Sequence, residues 1–217
     1  MNSQTERLTL QGPAGAIEVA RDAASVPDGG ASRGVAVIAH PHPLFGGTMD
    51  NKVVQTLARA FVQCGWTAVR FNFRGVGATQ GVHDEGRGEL QDLLAVVEQV
   101  APAGEGAQPL ALAGFSFGAF VTSHALATLW PQRHIDRAVL VGTAASRFTV
   151  APVPPEAHLR TLVVHGEQDD TVALSAVMDW ARPQTLPVTV VPGGGHFFHG
   201  QLPLLKNLVV RHLQSAL

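Results

Sequence analysis

Ala113-Gly114-Phe115-Ser116-Phe117-Gly118-Ala119 is the stretch whose reading decides the fold. It contains G-x-S-x-G. Before it, Leu110 to Phe115 is a short, wholly apolar run that predicts a buried strand; after it, Phe117 to Leu129 has the length and spacing of a helix. A serine between such elements sits on a very sharp strand-to-helix turn. Glycines on either side avoid clashes where the two backbones nearly touch. Its hydroxyl projects above the C-terminal edge of the strand, where the helix N-terminus offers free N–H groups and a positive dipole end. The plain alternative is a glycine-rich turn with a helix-capping serine. The pentapeptide alone does not exclude that, because Gly and Ser are common; its placement argues for a nucleophile.

Outward from this turn, further apolar runs predict strands at Gly34–Ala39, Trp66–Phe71, Arg137–Val141, Thr161–His165 and Val188–Val191. Their apolar character is continuous rather than alternating, as in parallel strands covered on both faces. Helical spacing fills the gaps at Asn51–Gln63, Arg87–Val100, Ser175–Ala181 and Leu202–Leu213. Alternating strand and helix predicts an α/β fold, a mostly parallel sheet with helices on both faces. Arg7–Leu10 and Ala16–Ala20, separated by Gly12-Pro13-Ala14-Gly15, predict an antiparallel hairpin at the sheet edge. Asp22–Arg33, Ala101–Pro109 and Ala151–Ala157 read as loops too short to divide domains, and no repeat is present. A single domain over residues 1–217 is expected.

Composition narrows the function classes. Fifteen Lys+Arg against 17 Asp+Glu give a net charge of -2, which offers no electrostatic case for nucleic acid or an anionic membrane. With 46% hydrophobic and 15% charged residues the chain is not a disordered one. Cys64 is the single cysteine, so neither an intrachain disulfide nor a multi-cysteine zinc site can form. MNSQTERLTL lacks the basic flank and apolar core of a signal peptide, and no apolar run is long enough to span a bilayer. A cytoplasmic setting is the expectation.

A nucleophilic serine needs a base and an orienting carboxylate. Gly193-Gly194-Gly195-His196-Phe197-Phe198-His199 follows the last strand and precedes the last helix, so His196 can reach the edge that carries Ser116. His199 lies nearer the helix and reads as a polar loop residue. Val163-Val164-His165-Gly166-Glu167-Gln168-Asp169-Asp170 supplies the acid just past another strand. The chain order is Ser116, then Asp169 or Asp170, then His196.

These residues resemble the α/β-hydrolase superfamily: Gly114-Phe115-Ser116-Phe117-Gly118, Gly166-x-x-Asp169-x-x-Val172 and Gly195-His196. Phe73-Arg74-Gly75-Val76-Gly77 is similar to its D-x-R-G-x-G turn, with Asn72 in place of the usual Asp. The resemblance spans roughly residues 34–213. His40 to Lys52 looks like a small, lidless bacterial branch near the dienelactone-hydrolase-like group, whose members use Cys where this chain has Ser116. The resemblance implies a serine esterase or thioesterase with the triad Ser116, Asp169 and His196. It excludes the relatives that carry Asp at the elbow. It assigns the acid to Asp169 and leaves Asp170 to cap the next helix. It also implies an oxyanion hole from the N–H of Phe117 and a second N–H in the loop of residues 40–47. Pro41 and Pro43 have none, which leaves His42 or Leu44.

Other features carry plainer readings. His40-x-His42 is a weak metal pattern with no spaced third and fourth ligand, so no metal and no cofactor are expected. Gly75, Gly77 and Gly81 follow a strand but are followed by the polar loop Val82–Gly86 rather than a helix, which argues against a dinucleotide loop. His165 reads as a strand-end residue that hydrogen-bonds locally, and Cys64 as a small hydrophobe. Val141 to Thr161 is too short and proline-rich for a lid helix, so an open cleft is expected. Phe45, Phe115, Phe117, Phe148, Phe197 and Phe198 are candidates for either an apolar rim or the core. Together these readings predict hydrolysis of a small-molecule ester or thioester, with no nucleic-acid or membrane partner and no indication of oligomeric state. A non-catalytic relative that binds a ligand or partner is the rival, and a peptidase a weaker one.

Overall fold

The computed structural model describes residues 5–26 and 30–215. Residues 1–4, within the segment read as lacking a leader, residues 27–29, within the loop expected between Asp22 and Arg33, and residues 216–217 lie outside the described residues. Eight strands form one sheet: β1 (Thr5–Gly12), β2 (Gly15–Asp22), β3 (Val35–Ala39), β4 (Thr67–Phe71), β5 (Leu110–Phe115), β6 (Ile135–Val141), β7 (Thr161–Gly166) and β8 (Val188–Val191). Their spatial order is β1-β2-β4-β3-β5-β6-β7-β8. The hairpin of β1 and β2 pairs antiparallel onto β4, and β3 to β8 are parallel.

The continuous apolar runs are explained by burial on both faces. In β3, Val35, Val37 and Ala39 face one core, while Ala36 and Ile38 face the other. The first core is closed by α2 (Arg87–Val100), α3 (Phe117–Leu129) and α4 (Leu174–Ala181), the second by α1 (Lys52–Gln63) and α5 (Leu202–Gln214). α1 begins where Asn51 accepts the N–H of Val53 at 2.9 Å, a side-chain N-cap. α3 is buried on nearly every side, so its hydroxyls bond inward: Thr122 to Ala113 O at 3.2 Å and Ser123 to Phe120 O at 2.7 Å.

Register puts the strand ends level. Ala39 pairs with Gly114, Phe115 with Val141, Val141 with Val164, and Gly166 with Val191. The chain leaves β3 toward β4 and leaves β5 toward β6, on opposite sides. Such a reversal opens a crevice between the loops that follow the two strands. No lid domain interrupts residues 142–160. That segment is fastened at Ala151, whose N–H donates to Ser123 Oγ at 3.1 Å and whose carbonyl accepts Trp180 Nε1 at 3.2 Å. A single 3-10 turn, Pro155–Arg160, occupies its second half.

Candidate active site

Ser116 stands at the end of β5 with φ 58 and ψ -117, a conformation a non-glycine residue adopts only under constraint. The constraint is visible on both sides. A Cβ on Gly114 would overlap the backbone of Gly118 and Ala119, and one on Gly118 the carbonyls of Ala39 and His40. The Ser116 N–H is held by Val141 O at 2.8 Å. The hydroxyl is thereby fixed at the crevice.

His196 bridges the other two groups. Its Nδ1 donates to Asp169 Oδ2 at 2.7 Å, and its Nε2 faces Ser116 Oγ at 2.9 Å. With the proton on Nδ1, the Nε2 lone pair is free to accept the Ser116 O–H. Asp169 Oδ1 accepts the N–H groups of Thr171 at 3.0 Å and Val172 at 2.7 Å. Burial pushes the Asp169 carboxyl up, but the hydrogen bonds from His196 and Val172 outweigh it and hold the group below its ordinary range. Asp169, Ser116 and His196 are all buried.

The glycine-rich segment before His196 does not swing freely. Gln168 N–H donates to Gly194 O at 2.8 Å and Gly193 N–H to Glu167 Oε2 at 2.8 Å, so the acid and base loops are tied together. Gly166 has to be glycine because a Cβ there would overlap Gly194 O. Phe198, fully buried at φ 51, anchors the segment in the core. His199 is exposed. Asp170 is exposed as well, and does not cap a helix. α4 begins only at Leu174, its N-cap is Ala173, and Asp170 Oδ1 accepts only the Thr171 hydroxyl, at 3.3 Å.

Opposite Ser116 the loop after β3 makes a 3-10 turn at Pro43–Phe45. Leu44 N–H donates to His42 Nδ1 at 3.2 Å, and the Leu44 side chain is exposed and does not line the cleft. Among the described residues the main-chain N–H groups of His42 and Phe117 have no acceptor. His40 donates from Nδ1 to Pro41 O at 2.6 Å and accepts Phe73 N–H at 3.0 Å on Nε2. Both ring nitrogens are thus committed to backbone, and burial lowers its pKa to about 4. Among the described residues no three His, Cys, Asp or Glu side chains gather as metal ligands do.

The cleft holds about 300 Å³ and is lined by His42, Phe45, Phe117, Phe148 and Phe197 around Ser116 and His196. The phenylalanines divide between rim and core. Phe45 and Phe197 are exposed at 75% and 43%, Phe148 is half-buried, and Phe115, Phe117 and Phe198 are in the core. His165 makes the local hydrogen bond expected of it, and its place beside the acid is the part the sequence did not show. His165 Nε2 donates to Val172 O at 2.9 Å and lies 3.4 Å from Asp169 Oδ2, so it braces the acid loop. Its spacing of four from Asp169 was the available signal. Its pKa is lowered by burial, which keeps it a neutral donor.

A family model described as serine aminopeptidase, S33, matches residues 31–155. The chain belongs to that family. The family member is 38% identical to a solved α/β serine hydrolase without lid from Xanthomonas campestris, covering 99% of this chain and 95% of that one with a TM-score of 0.86. An α/β serine hydrolase homologue from Coxiella burnetii is 39% identical, with 96% and 97% of the chains covered and a TM-score of 0.78. A protein of Rickettsia prowazekii described as uncharacterized is 29% identical over 205 residues, 88% of this chain and 82% of that one. The chain is a lidless α/β-hydrolase with a Ser116–His196–Asp169 arrangement, which supports serine-hydrolase chemistry.

Proposed function

We propose that this hydrolase cleaves short-chain carboxylic esters or thioesters through an acyl-enzyme. The observation that carries the reading is His196 set between Ser116 Oγ and Asp169 Oδ2, at 2.9 and 2.7 Å, on the wall of an open cleft. His196 takes the proton from Ser116 as Oγ attacks the acyl carbon. Asp169 holds the imidazole in the required tautomer and balances its developing charge. His196 then protonates the leaving group, and afterwards draws a proton from the water that releases the acid. The N–H groups of Phe117 and His42 receive the oxyanion. Leu44 is the weaker choice because its N–H already bonds His42 Nδ1. The reaction so written needs no cofactor.

The short-chain preference rests on the small cleft and the missing lid. The whole chain acts as one domain in this reading, in a cytoplasmic setting, and the resemblance of residues 40–52 supports a position near the dienelactone-hydrolase-like group. No helix among the described residues is long and apolar enough to cross a membrane. The peptidase activity in the family's description is the less favoured alternative. Cleaving after a free amino terminus calls for an anionic partner in the cleft, and no carboxylate lines it among the described residues.

The deciding experiment is labelling with a fluorophosphonate, peptide mapping, and turnover of p-nitrophenyl butyrate. Label on Ser116 with turnover supports the reading. A folded protein that takes no label and turns over no ester returns the case to a binding protein.

A further inference from the structure

Arg147 is the single charged side chain lining the Ser116 cleft among the described residues; the rest of the wall is apolar, histidine, or the uncharged Ser116, Asn51 and Thr171. It lies in the segment that follows β6, and it is exposed. No carboxylate comes within ion-pair distance of it among the described residues, whereas Arg74 and Arg87 each hold one and Arg70 holds two. Its backbone is fixed. Arg147 N–H donates to Ala144 O at 3.2 Å and Phe148 N–H to the same carbonyl at 3.1 Å. The next residue, Phe148, stacks on Phe120 with centroids 4.7 Å apart and meets Phe117 edge-on at 5.2 Å.

Of the groups that would compete with a ligand for this guanidinium, Asp169 and Glu89 are engaged elsewhere and Glu85 is not paired with it. Asp169 is buried behind His196. Glu89 is buried, accepts Asp84 and Gly86 N–H, and lies beside His83. Glu85 lines an adjoining groove of about 670 Å³ that shares His42, Phe45, Arg147 and Phe148 with the cleft, but it forms no ion pair with Arg147. A planar, always-charged fork at the junction of a largely apolar cleft and a mixed apolar and polar groove is suited to one end of a small molecule whose reactive carbonyl lies at Ser116.

We infer that Arg147 is a specificity residue: it binds a carboxylate carried by the substrate, so that the preferred esters or thioesters are those of small acids or alcohols bearing a second, free carboxylate. This rests on the ester-hydrolase reading and deepens it. Arg147 takes no part in the bond changes. It selects which acyl carbon reaches Ser116.

Two matched pairs test this. On the acyl arm they are p-nitrophenyl hemiglutarate and its methyl ester. On the alcohol arm they are the acetyl ester of para-hydroxybenzoate and that of its methyl ester. The readout is the ratio of kcat/KM for the anionic over the neutral member. In the wild type at least one pair should favour the anion, less so in high salt. In Arg147→Ala that ratio should fall about tenfold or more, the loss of one charge-assisted contact. Arg147→Glu should lower it further and Arg147→Lys should retain part of it. Ratios unchanged in both pairs by Arg147→Ala and Arg147→Glu overturn the inference, even where the neutral esters are turned over and the esterase reading stands. If no ester is turned over, that reading falls separately. Calorimetry on Ser116→Ala with the same four compounds then decides: preferential binding of an anionic member, lost with Arg147→Glu, supports the role, and no preference overturns it.

Discussion

Asp169 Oδ2 accepts His196 Nδ1 at 2.7 Å, while the His165 ring, whose Nε2 donates to Val172 O at 2.9 Å, lies beside it at 3.4 Å. Its other oxygen takes two main-chain N–H groups. Three hydrogen bonds, from His196, Thr171 and Val172, therefore hold the carboxylate, and its orientation toward His196 is set before any substrate arrives. Asp169→Asn can keep the main-chain contacts through Oδ1 but turns an N–H donor toward His196. That stabilises the wrong tautomer, and in a serine protease the same change costs about 10⁴ in kcat. We expect Asp169→Asn to be nearly inactive. Asp170→Asn should keep kcat within about twofold and stability within about 0.5 kcal/mol, as for exposed positions without special contacts. Kinetics and thermal melts on the two variants check this. A dead Asp170→Asn would move the acid by one residue.

Ser116→Ala should leave the fold intact and lower kcat for p-nitrophenyl acetate by about 10⁴ or more. Removing the hydroxyl also removes only one buried contact, with His196 Nε2. A melt beside the assay separates loss of the nucleophile from loss of structure. Near-normal turnover by the folded variant would dismiss the nucleophile.

Much of this site was legible because it depends on local backbone geometry. G-x-S-x-G between an apolar run and a helix pattern names Ser116, since few other residues suit an elbow against neighbouring backbones. The hairpin was legible from its Gly-Pro-Ala-Gly turn, although its strands run longer than predicted, to Thr5 and Asp22. What sequence alone left hidden depends on how each loop turns back on itself. The brace from His165 appears only when β7 and the loop after it fold back on each other. Asp170 looked like a cap because Thr171 follows it, yet Asp169 takes the local N–H groups and α4 starts later. The preference proposed for His42 over Leu44 rests on a side chain bonding its own loop.

Asn72 replaces the aspartate usual at this turn, and its surroundings give the reason. Its Oδ1 accepts Met49 N–H at 2.9 Å and its Nδ2 donates to Glu18 Oε2 at 2.8 Å. Glu18 also accepts Ala78 N–H at 3.1 Å. Asn72→Asp would replace a donor with a second negative charge against Glu18. The expected cost is about 1–2 kcal/mol, reduced by the partial exposure of Glu18. Adding Glu18→Gln should recover most of it, because the glutamine amide can donate to the carboxylate introduced opposite it. Chemical denaturation of the single and double variants tests the pairing, and equal losses with no recovery would refute it.

Acyl preference follows from the cleft's size. With about 300 Å³ in the cleft, no lid, and an adjoining groove that carries His83, Glu85, His124 and Arg147, methylenes added beyond a short chain find little apolar wall. Each CH₂ that is buried contributes about 0.8 kcal/mol, so a long acyl tail gains little here. The kcat/KM across an acyl series in detergent-free buffer should peak between acetyl and hexanoyl. A maximum at dodecanoyl or longer would require a deep tunnel instead.

Stability should fall in mild acid because buried histidines are kept neutral; His42 and His165 are lowered by burial, and the largest shifts are at two others. His40 and His212 are each lowered from 6.5 to about 4, in both cases chiefly by burial. At a pH between those values the unfolded chain binds protons that the folded protein refuses. Acid therefore favours unfolding in that window. The contribution is fully present above about 6.5 and is lost as pH falls toward about 4. Each such group contributes a slope of about 1.4 kcal/mol per pH unit at most. From about pH 7 to about pH 5 this amounts to about 2 kcal/mol for His40, and less for His212, which is only half-buried. Most carboxylates stay ionised over that range, so the slope belongs largely to histidine. His212 Nε2 donates to Arg160 O at 3.1 Å, a bond that a glutamine amide can replace. His212→Gln should thus fold normally and show a shallower decline than the wild type. The measurement is urea denaturation at steps across this range, comparing the two slopes. A wild-type stability that stays level from about pH 7 to about pH 5 would mean that both histidines accept protons in the folded state as readily as in the unfolded one.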